Sequence, residues 1–206
     1  MTEPVFLFDV DGVLIDSGAA HRRVWAAWAD ARGLDPGSVW GATQGRRRVD
    51  TLRLVAPHLD PAEEHALLNR LMAAEEHTVR AYDGAGEVLR GLAAGAWAVV
   101  TSSRGEATRR RLAASGLPVP AVRVCAEDVT EGKPSPEGYL TAATRLGADP
   151  RHCLVVEDSP AGVAAGRAAG CTVHAVTTTH TAGQLARAHA VFPSLRAAVR
   201  AATGHG

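Results

Sequence analysis

The sequence predicts an α/β fold: a Rossmann-like, doubly wound parallel sheet with an inserted α-helical domain. Five short and almost continuous apolar runs recur along the chain, and such runs are typical of strands buried on both faces of a parallel sheet. A helical pattern precedes each of the last four runs, which implies right-handed crossovers with helices on both faces. The stretch from Ser17 to Arg80 interrupts this alternation, because it contains no credible strand.

The individual elements follow from these patterns in chain order. The predicted strands are Val5–Val10, Ala96–Thr101, Ala121–Cys125, Cys153–Glu157 and Thr172–Val176. The predicted helices between them are Gly84–Ala94, Glu106–Ser115, Pro136–Leu146 and Pro160–Ala169, and the inserted ones are Ala19–Arg32, Arg48–Ala56 and Pro61–Tyr82. Ser159 before Pro160 has the form of an N-cap followed by a first-turn proline. We therefore expect a core of residues 1–16 and 81–206, with residues 17–80 inserted.

Composition argues against several classes of function. The 22 basic and 22 acidic residues leave a formal net charge of zero, whereas nucleic-acid and anionic-membrane binders usually have a basic excess. No apolar run approaches the ~18 residues of a membrane span, and residues 1–4 do not resemble a signal peptide. The three cysteines lack metal-like spacing. We expect a reduced, monomeric cytoplasmic protein without nucleic-acid or membrane partners.

Polar and charged residues follow the predicted strands at the point where each strand ends. In an open parallel sheet, ligands bind beyond the carboxyl ends of the strands. The residues in these positions are Asp9 and Asp11, Thr101, Ser102 and Ser103, Lys133, and Glu157 and Asp158. Lys133 is the one lysine among the 22 basic residues, and a compact ammonium is not replaceable by a guanidinium in a tight site.

The four acids at these strand ends predict a metal site. Carboxylates that share one crevice raise one another's pKa unless positive charge compensates them, and a divalent cation together with Lys133 would do so. Carboxylate oxygens without a cysteine or histidine cluster suit Mg²⁺ far better than Zn²⁺. Magnesium usually shares its site with a phosphate, and the hydroxyls and amides of Thr101–Ser103, ahead of a helix N-terminus, could hold that group.

Four ordered motifs carry a resemblance to a known family. They are Asp9–Val13, Thr101 at its strand end, Gly132–Pro134 and Glu157–Gly162. With these motifs the chain resembles the haloacid dehalogenase superfamily of phosphotransferases, in the branch with a helical cap domain. It is most similar to small sugar and polyol phosphatases of the 2-deoxyglucose-6-phosphatase and glycerol-3-phosphatase kind, and somewhat less similar to β-phosphoglucomutase.

The resemblance and the chemistry together imply the role of each catalytic residue. Asp9 would attack the phosphorus and form an aspartyl-phosphate, which splits one hard displacement into two. Asp11 would protonate the leaving alcohol and then deprotonate the attacking water. Lys133 would span the nucleophile and a phosphate oxygen. An acid at position 11 favours a phosphatase or mutase, because the family's dehalogenases lack this acid and its transport ATPases have a threonine there.

The resemblance also implies ligands for the metal and for the phosphate. Mg²⁺ would be held by the Asp9 carboxylate, the Asp11 backbone carbonyl and the Asp158 carboxylate. Glu157 would be an outer-shell ligand through water. The phosphate would be bound by the hydroxyl or amide groups of Thr101, Ser102 and Ser103.

Residues of the inserted helices are the candidates for substrate recognition. His21 begins the first inserted helix, and the segment from Gln44 to Arg48 occupies a loop that reaches into the active site in relatives. His21, Arg46 and Arg48 are therefore either substrate contacts or ordinary surface residues. The second arginine run, Arg109–Arg111, lies in the middle of a predicted core helix, where we expect plain surface.

These observations favour a Mg²⁺-dependent phosphatase acting on small phosphorylated sugars or polyols through an aspartyl-phosphate. Two alternatives stay open. A phosphosugar mutase of the β-phosphoglucomutase kind would use the same covalent intermediate. A non-catalytic module that binds a phosphorylated ligand would belong to a different class, although the intact set of motifs argues against a degenerate site.

Overall fold

The structure is a computed structural model that describes residues 4–43 and 46–204. Its strands are β1 (Val5–Phe8), β2 (Ile15–Asp16), β3 (Arg80–Ala81), β4 (Trp97–Val100), β5 (Arg123–Val124), β6 (Cys153–Glu157), β7 (Thr172–Val176) and β8 (Ala190–Phe192). Its α-helices are α1 (Gly18–Ala31), α2 (Pro36–Thr43), α3 (Arg48–Val55), α4 (Pro61–Glu75), α5 (Ala85–Gly91), α6 (Gly105–Ala114), α7 (Glu137–Arg145), α8 (Pro160–Ala168) and α9 (Leu195–Thr203). Within the described ranges no helix is both long and apolar enough to cross a membrane.

Six parallel strands form the central sheet, in the order β5-β4-β1-β6-β7-β8. β1 lies in the middle, with Phe6 paired to Trp97 of β4 and to Leu154 of β6. The predicted doubly wound α/β fold is therefore confirmed. Strand β8 was not predicted, because it is three half-buried residues at the sheet edge and lacks the long apolar run of an internal strand.

The two faces of the sheet are covered by separate apolar clusters. Successive side chains of a strand point to opposite faces, so Phe6 and Phe8 pack on one side and Leu7 on the other. The cluster around Phe6 and Phe8 continues into the inserted helices, where Trp28 and Leu68 are fully buried. β1 thus lies in the core on both faces, and this fixes the position of the residues that follow it.

Four α-helices, α1 to α4, lie between β2 and β3, which pair antiparallel with Ile15 opposite Ala81. The prediction that the stretch from Ser17 to Arg80 contains no strand was wrong for its last residue, since Arg80 belongs to β3. The last inserted helix is also shorter than predicted, because it gives way to a 3₁₀ turn at Glu76–Thr78 before the chain pairs with β2. Helix α2 was not predicted, because two glycines weaken its helical pattern.

Candidate active site

The candidate nucleophile Asp9 directly follows β1. Its backbone N–H donates to the carbonyl of Val156 in β6, at 3.0 Å, so the sheet pairing still fixes the chain there. The chain then turns sharply, and the Gly12 N–H donates to the Ile15 carbonyl at 2.9 Å. Gly12 has φ +89°, and a Cβ at this position would lie 2.0 Å from the Asp158 Oδ2 atom. Glycine therefore lets the turn lie directly against the Asp158 carboxylate.

Three buried carboxylates meet at the ends of β1 and β6. Asp9, Glu157 and Asp158 each offer an oxygen, and these three atoms lie within 4.8 Å of one another. Burial raises the pKa of Asp9 to about 7, although the positive charge of Lys133 opposes this rise, and the negative charge of Glu157 adds to it. Burial and the carboxylates of Glu157 and Asp9 likewise raise the pKa of Asp158 well above its ordinary value. A bound divalent cation would relieve this repulsion, and carboxylate oxygens are the donors that a hard cation prefers.

Lys133 lies beside the acidic cluster, as its position in the loop after a predicted strand implies. Its ammonium donates to Asp9 Oδ1 at 2.7 Å, to Glu157 Oε1 at 2.6 Å and to the Val100 carbonyl at 3.2 Å. Three acceptors thus match the three N–H donors of an ammonium. Although burial opposes it, the charges of Asp9 and Glu157 raise the pKa of Lys133 well above its ordinary value. Lys133 is therefore a fixed cation beside the nucleophile.

The Glu157 carboxylate is fully enclosed, with a relative exposure of 0%. Its Oε1 atom accepts from Lys133 and from the Tyr139 hydroxyl, at 2.6 and 2.9 Å. Its Oε2 atom accepts from the Asp158 N–H and from the N–H and hydroxyl of Ser159. Glu157 therefore positions Lys133 and the start of α8, and its role as an outer-shell metal ligand stays a prediction.

Asp11 follows the nucleophile by two residues, and donors from three parts of the chain hold its carboxylate. Its Oδ1 atom accepts from the Ser17 hydroxyl at 2.6 Å and from Arg111 Nη1 at 2.7 Å. Its Oδ2 atom accepts from the Ser103 hydroxyl at 3.0 Å. Burial would raise the pKa of Asp11, but the Arg111 guanidinium and the two hydroxyls hold it well below its usual range.

The three predicted phosphate-binding residues follow β4 in the same crevice. Thr101 is buried at the strand end, and its hydroxyl accepts from the Ser103 N–H at 3.1 Å. The Ser103 hydroxyl donates to Asp11, so this loop lies next to the Asp11 carboxylate. Ser102 lies between them and is partly exposed. Their phosphate-binding roles stay predictions, and their placement at the mouth of the site agrees with them.

The inserted helices bring His21 and Arg48 toward this crevice, but Arg46 does not reach it. Burial lowers the pKa of His21 to about 4 although Asp11 opposes this, so the imidazole is uncharged at neutral pH. Arg48 is half-buried, and both burial and the nearby charge of Arg111 lower its pKa. Arg46 is exposed and donates to the Ala42 carbonyl of its own segment at 3.1 Å.

The remaining residues of the predicted cap loop are Gln44, Gly45 and Arg47. Gln44 and Gly45 lie outside the described residues. Arg47 pairs with Asp50 and donates to the Val129 carbonyl of the core at 3.1 Å. Arg47 therefore ties the inserted helices to the core, and Arg48 is the arginine of the described run that lies near the catalytic acids.

The prediction that Arg109–Arg111 is plain surface was wrong for Arg111. The side chains of Arg109 and Arg110 are 54% and 50% exposed, whereas that of Arg111 is 4% exposed. Arg111 shares the buried face of α6 with Thr108 and Leu112, a spacing of three and four residues that marks one side of a helix. That periodicity is the signal by which the sequence could have revealed it.

The comparisons with known proteins agree with this geometry. Residues 4–170 match the family described as haloacid dehalogenase-like hydrolase. The chain belongs to this family. It is 41% identical over 195 residues to hexitol phosphatase A of Escherichia coli (strain K12), covering 92% of this chain and 90% of that protein. It is also 35% identical over 188 residues to glycerol-1-phosphate phosphohydrolase 2 of Saccharomyces cerevisiae (strain ATCC 204508 / S288c), covering 84% and 74% of the two chains.

A solved structure supports the fold assignment of this haloacid dehalogenase-like hydrolase. A hydrolase from Pseudomonas syringae superposes with a TM-score of 0.86 at 24% identity, covering 99% of each chain. At this identity the likeness establishes the fold alone. The family match and the named relatives, without this structure, confirm the resemblance to sugar and polyol phosphatases that the four motifs predicted.

Three functional neighbours of this hydrolase site were not predicted from the sequence. The Ser17 hydroxyl contacts Asp11, and the Tyr139 hydroxyl contacts Glu157. The Thr179 hydroxyl, in the loop after β7, donates to the carboxylate of Asp158. Serine and threonine recur along the sequence, and Tyr139, although one of two tyrosines, lies in none of the four motifs. Only the fold places these three hydroxyls beside the acids.

Proposed function

We propose that this haloacid dehalogenase-like hydrolase is a Mg²⁺-dependent phosphatase that hydrolyses small phosphorylated sugars or polyols through an aspartyl-phosphate. The observation that carries the proposal is the arrangement around Asp9. This carboxylate lies between the Lys133 ammonium, at 2.7 Å, and the acidic cluster with Asp158, and Asp11 follows two residues later. The names of the relatives support the class of substrate.

Two displacements at phosphorus account for the reaction. In the first, an Asp9 oxygen bonds to the phosphorus and the bond to the ester oxygen breaks. Asp11, which enters this step as a protonated carboxyl group, gives its proton to the departing alcohol. In the second, a water oxygen bonds to the phosphorus, Asp11 takes a proton of that water, and the bond to Asp9 breaks. Inorganic phosphate leaves, Asp9 is a carboxylate again and Asp11 is protonated again. Proton transfer by a positioned group is typically worth ~10²–10⁴ in rate.

The residues around the nucleophile fit a magnesium ion. The Asp9 and Asp158 carboxylates and the Asp11 backbone carbonyl would hold it, because they are hard oxygen donors next to a phosphate-binding loop. When bound, Mg²⁺ neutralises and orients the transferred phosphoryl group. Lys133 keeps the nucleophile in place and adds positive charge for a phosphate oxygen. The residue range 17–80 would act as the cap, with His21 and Arg48 facing the organic part of the substrate.

The proposal is tested by phosphate release. The purified chain should release inorganic phosphate from p-nitrophenyl phosphate and from at least one of a hexitol phosphate, glycerol 1-phosphate and 2-deoxyglucose 6-phosphate. Activity should disappear with EDTA and return with excess Mg²⁺. Absence of turnover with Mg²⁺ on every substrate would favour a phospho-ligand binding module.

Gly12→Ala should raise the Mg²⁺ concentration for half-maximal activity by about tenfold or more, since disturbing the groups that orient metal ligands typically costs 10- to 100-fold in affinity. A Cβ at Gly12 would displace the Asp158 carboxylate, 2.0 Å away. Gly33→Ala is the matched control, because Gly33 also has positive φ, +67°, but has open space around it. Activity titrations against Mg²⁺ distinguish the two variants, and equal shifts in both would contradict the prediction.

We expect phosphate release from sugar or polyol monophosphates without any dependence on an added bisphosphate. A mutase must hold a second, distal phosphate through a cation of its cap. Arg48 is placed for such a contact, but its Nη1 atom donates to Asn69 at 2.8 Å, and Arg46 is turned away. Coupled assays with β-glucose 1-phosphate measure both outcomes. Formation of glucose 6-phosphate faster than phosphate release would overturn the phosphatase in favour of the mutase.

A further inference from the structure

Arg111 is a buried cation in the active site to which the reaction above gives no role. Its side chain is 4% exposed, and it forms its ion pair with Asp11, whose sequence position is 100 residues away. Arginine is almost never fully buried unless it is paired. The Asp11 carboxylate is the anionic partner of this buried guanidinium, and its Nε atom also donates to the Ala107 carbonyl of α6 at 3.4 Å.

The contacts of Asp11 differ between its two oxygens. Oδ1 accepts two hydrogen bonds, from Ser17 and from Arg111, whereas Oδ2 accepts one, from Ser103. A carboxylate oxygen has two lone-pair sites, so the described residues fill Oδ1 and leave one site on Oδ2. The arrangement thus distinguishes an anchored oxygen from one that can carry a proton.

The same guanidinium also touches the inserted helices. Its Nη1 atom lies 3.4 Å from Nε2 of His21 in α1. A guanidinium has only donors, so this imidazole nitrogen accepts, and the ring proton lies on Nδ1. Arg111 is therefore in contact with the core acid on one side and with the cap on the other, which restricts the rotation of its planar head.

We propose that Arg111 is a positioning residue, which anchors Oδ1 of Asp11 so that Oδ2 exchanges the proton with the leaving alcohol and the water. The inference rests on the proposed function, because it assigns a role relative to the acid–base step. Arg111 acts through Asp11 and does not itself contact the reacting phosphoryl group. Its loss should therefore matter most where the leaving group needs a proton.

Arg111→Met should lower kcat/KM for the best polyol phosphate by roughly 10²-fold, the lower end of what general acid catalysis contributes. For p-nitrophenyl phosphate the change should be no more than about threefold, since p-nitrophenolate departs without a proton and kcat/KM reports only the steps through its departure. The ratio of kcat/KM for the two substrates does not depend on the folded fraction of the variant, because both are measured on one preparation. Arg111→Lys should recover part of the loss by keeping the charge.

Two comparisons make the test specific. Arg110→Met, on the same helix but half exposed and paired with Glu76, should leave both substrates unchanged. In an Asp11→Asn background, Arg111→Met should lower kcat/KM for the polyol phosphate by less than about a further twofold. A residue that acts through another has no further effect once its partner is gone.

Equal losses on both substrates would reduce Arg111 to a structural residue and overturn the proposal. Additive losses with Asp11→Asn would overturn it in favour of direct substrate contact. A wild-type chain that hydrolyses neither substrate would overturn the phosphatase itself, and this inference with it.

Discussion

Asp9→Asn should reduce turnover by about 10³-fold or more, as expected for removal of a covalent nucleophile, and the protein should stay folded. An amide oxygen is a poor nucleophile and a poor magnesium ligand, but it can still accept from Lys133 as Asp9 Oδ1 does at 2.7 Å. The substitution also removes one of three clustered negative charges. Phosphate release and a thermal melt measure the two parts of this prediction.

The control for this variant is Asp16→Asn, because Asp16 is an exposed acid on β2. It should leave both activity and melting temperature near the wild-type values. Turnover of Asp9→Asn within tenfold of wild type would exclude Asp9 as the nucleophile. Loss of the cooperative melt in the same variant would show instead that the carboxylate is needed for folding.

Lys133→Arg, although nominally conservative, should lower kcat/KM by about 10²-fold or more, because a planar guanidinium does not reproduce the compact ammonium. The Lys133 side chain is 8% exposed, and its ammonium directs three donors at Asp9, Glu157 and the Val100 carbonyl. A guanidinium keeps the charge but holds its five donors in one plane. It would displace either the nucleophile or Glu157 from the contacts that fix them.

Steady-state kinetics with saturating Mg²⁺ measure this effect. The control is the reverse exchange at an exposed ion pair, Arg109→Lys beside Glu106. It should leave kcat/KM unchanged, since exposed ion pairs contribute little. Near-normal kinetics of Lys133→Arg would mean that the single lysine in this arginine-rich chain is an accident of composition.

The buried strands were the most predictable part of the fold. The structure gives Cys153–Glu157 and Thr172–Val176 the predicted bounds, because strands buried on both faces need continuous apolar residues. Strands β2 and β3 have two residues each, which is too short for any periodicity. Their pairing depends on two segments more than sixty residues apart meeting at the base of the insertion, which local sequence does not encode.

The catalytic acids and Lys133 were predictable, but the partner of Arg111 was not. Asp9 and Asp158 directly follow strands, and ligands of an open parallel sheet bind at the carboxyl ends of its strands. The helical spacing of Arg111 with Thr108 and Leu112 could have marked it as the buried arginine of its run. Its ion pair with Asp11 could not have been predicted, because the fold alone brings these two residues together across the crevice.

The enclosure of Lys133 has a consequence for the chemical labelling of this protein. It is the one lysine in the sequence, it is 8% exposed, and both of its carboxylate partners keep it protonated. Amine-reactive dyes and cross-linkers need a free, accessible amine, so the folded chain protects the Lys133 side chain from them. Because of the same enclosure, the rate at which Lys133 is acylated would measure how often the crevice opens and the ammonium leaves Asp9.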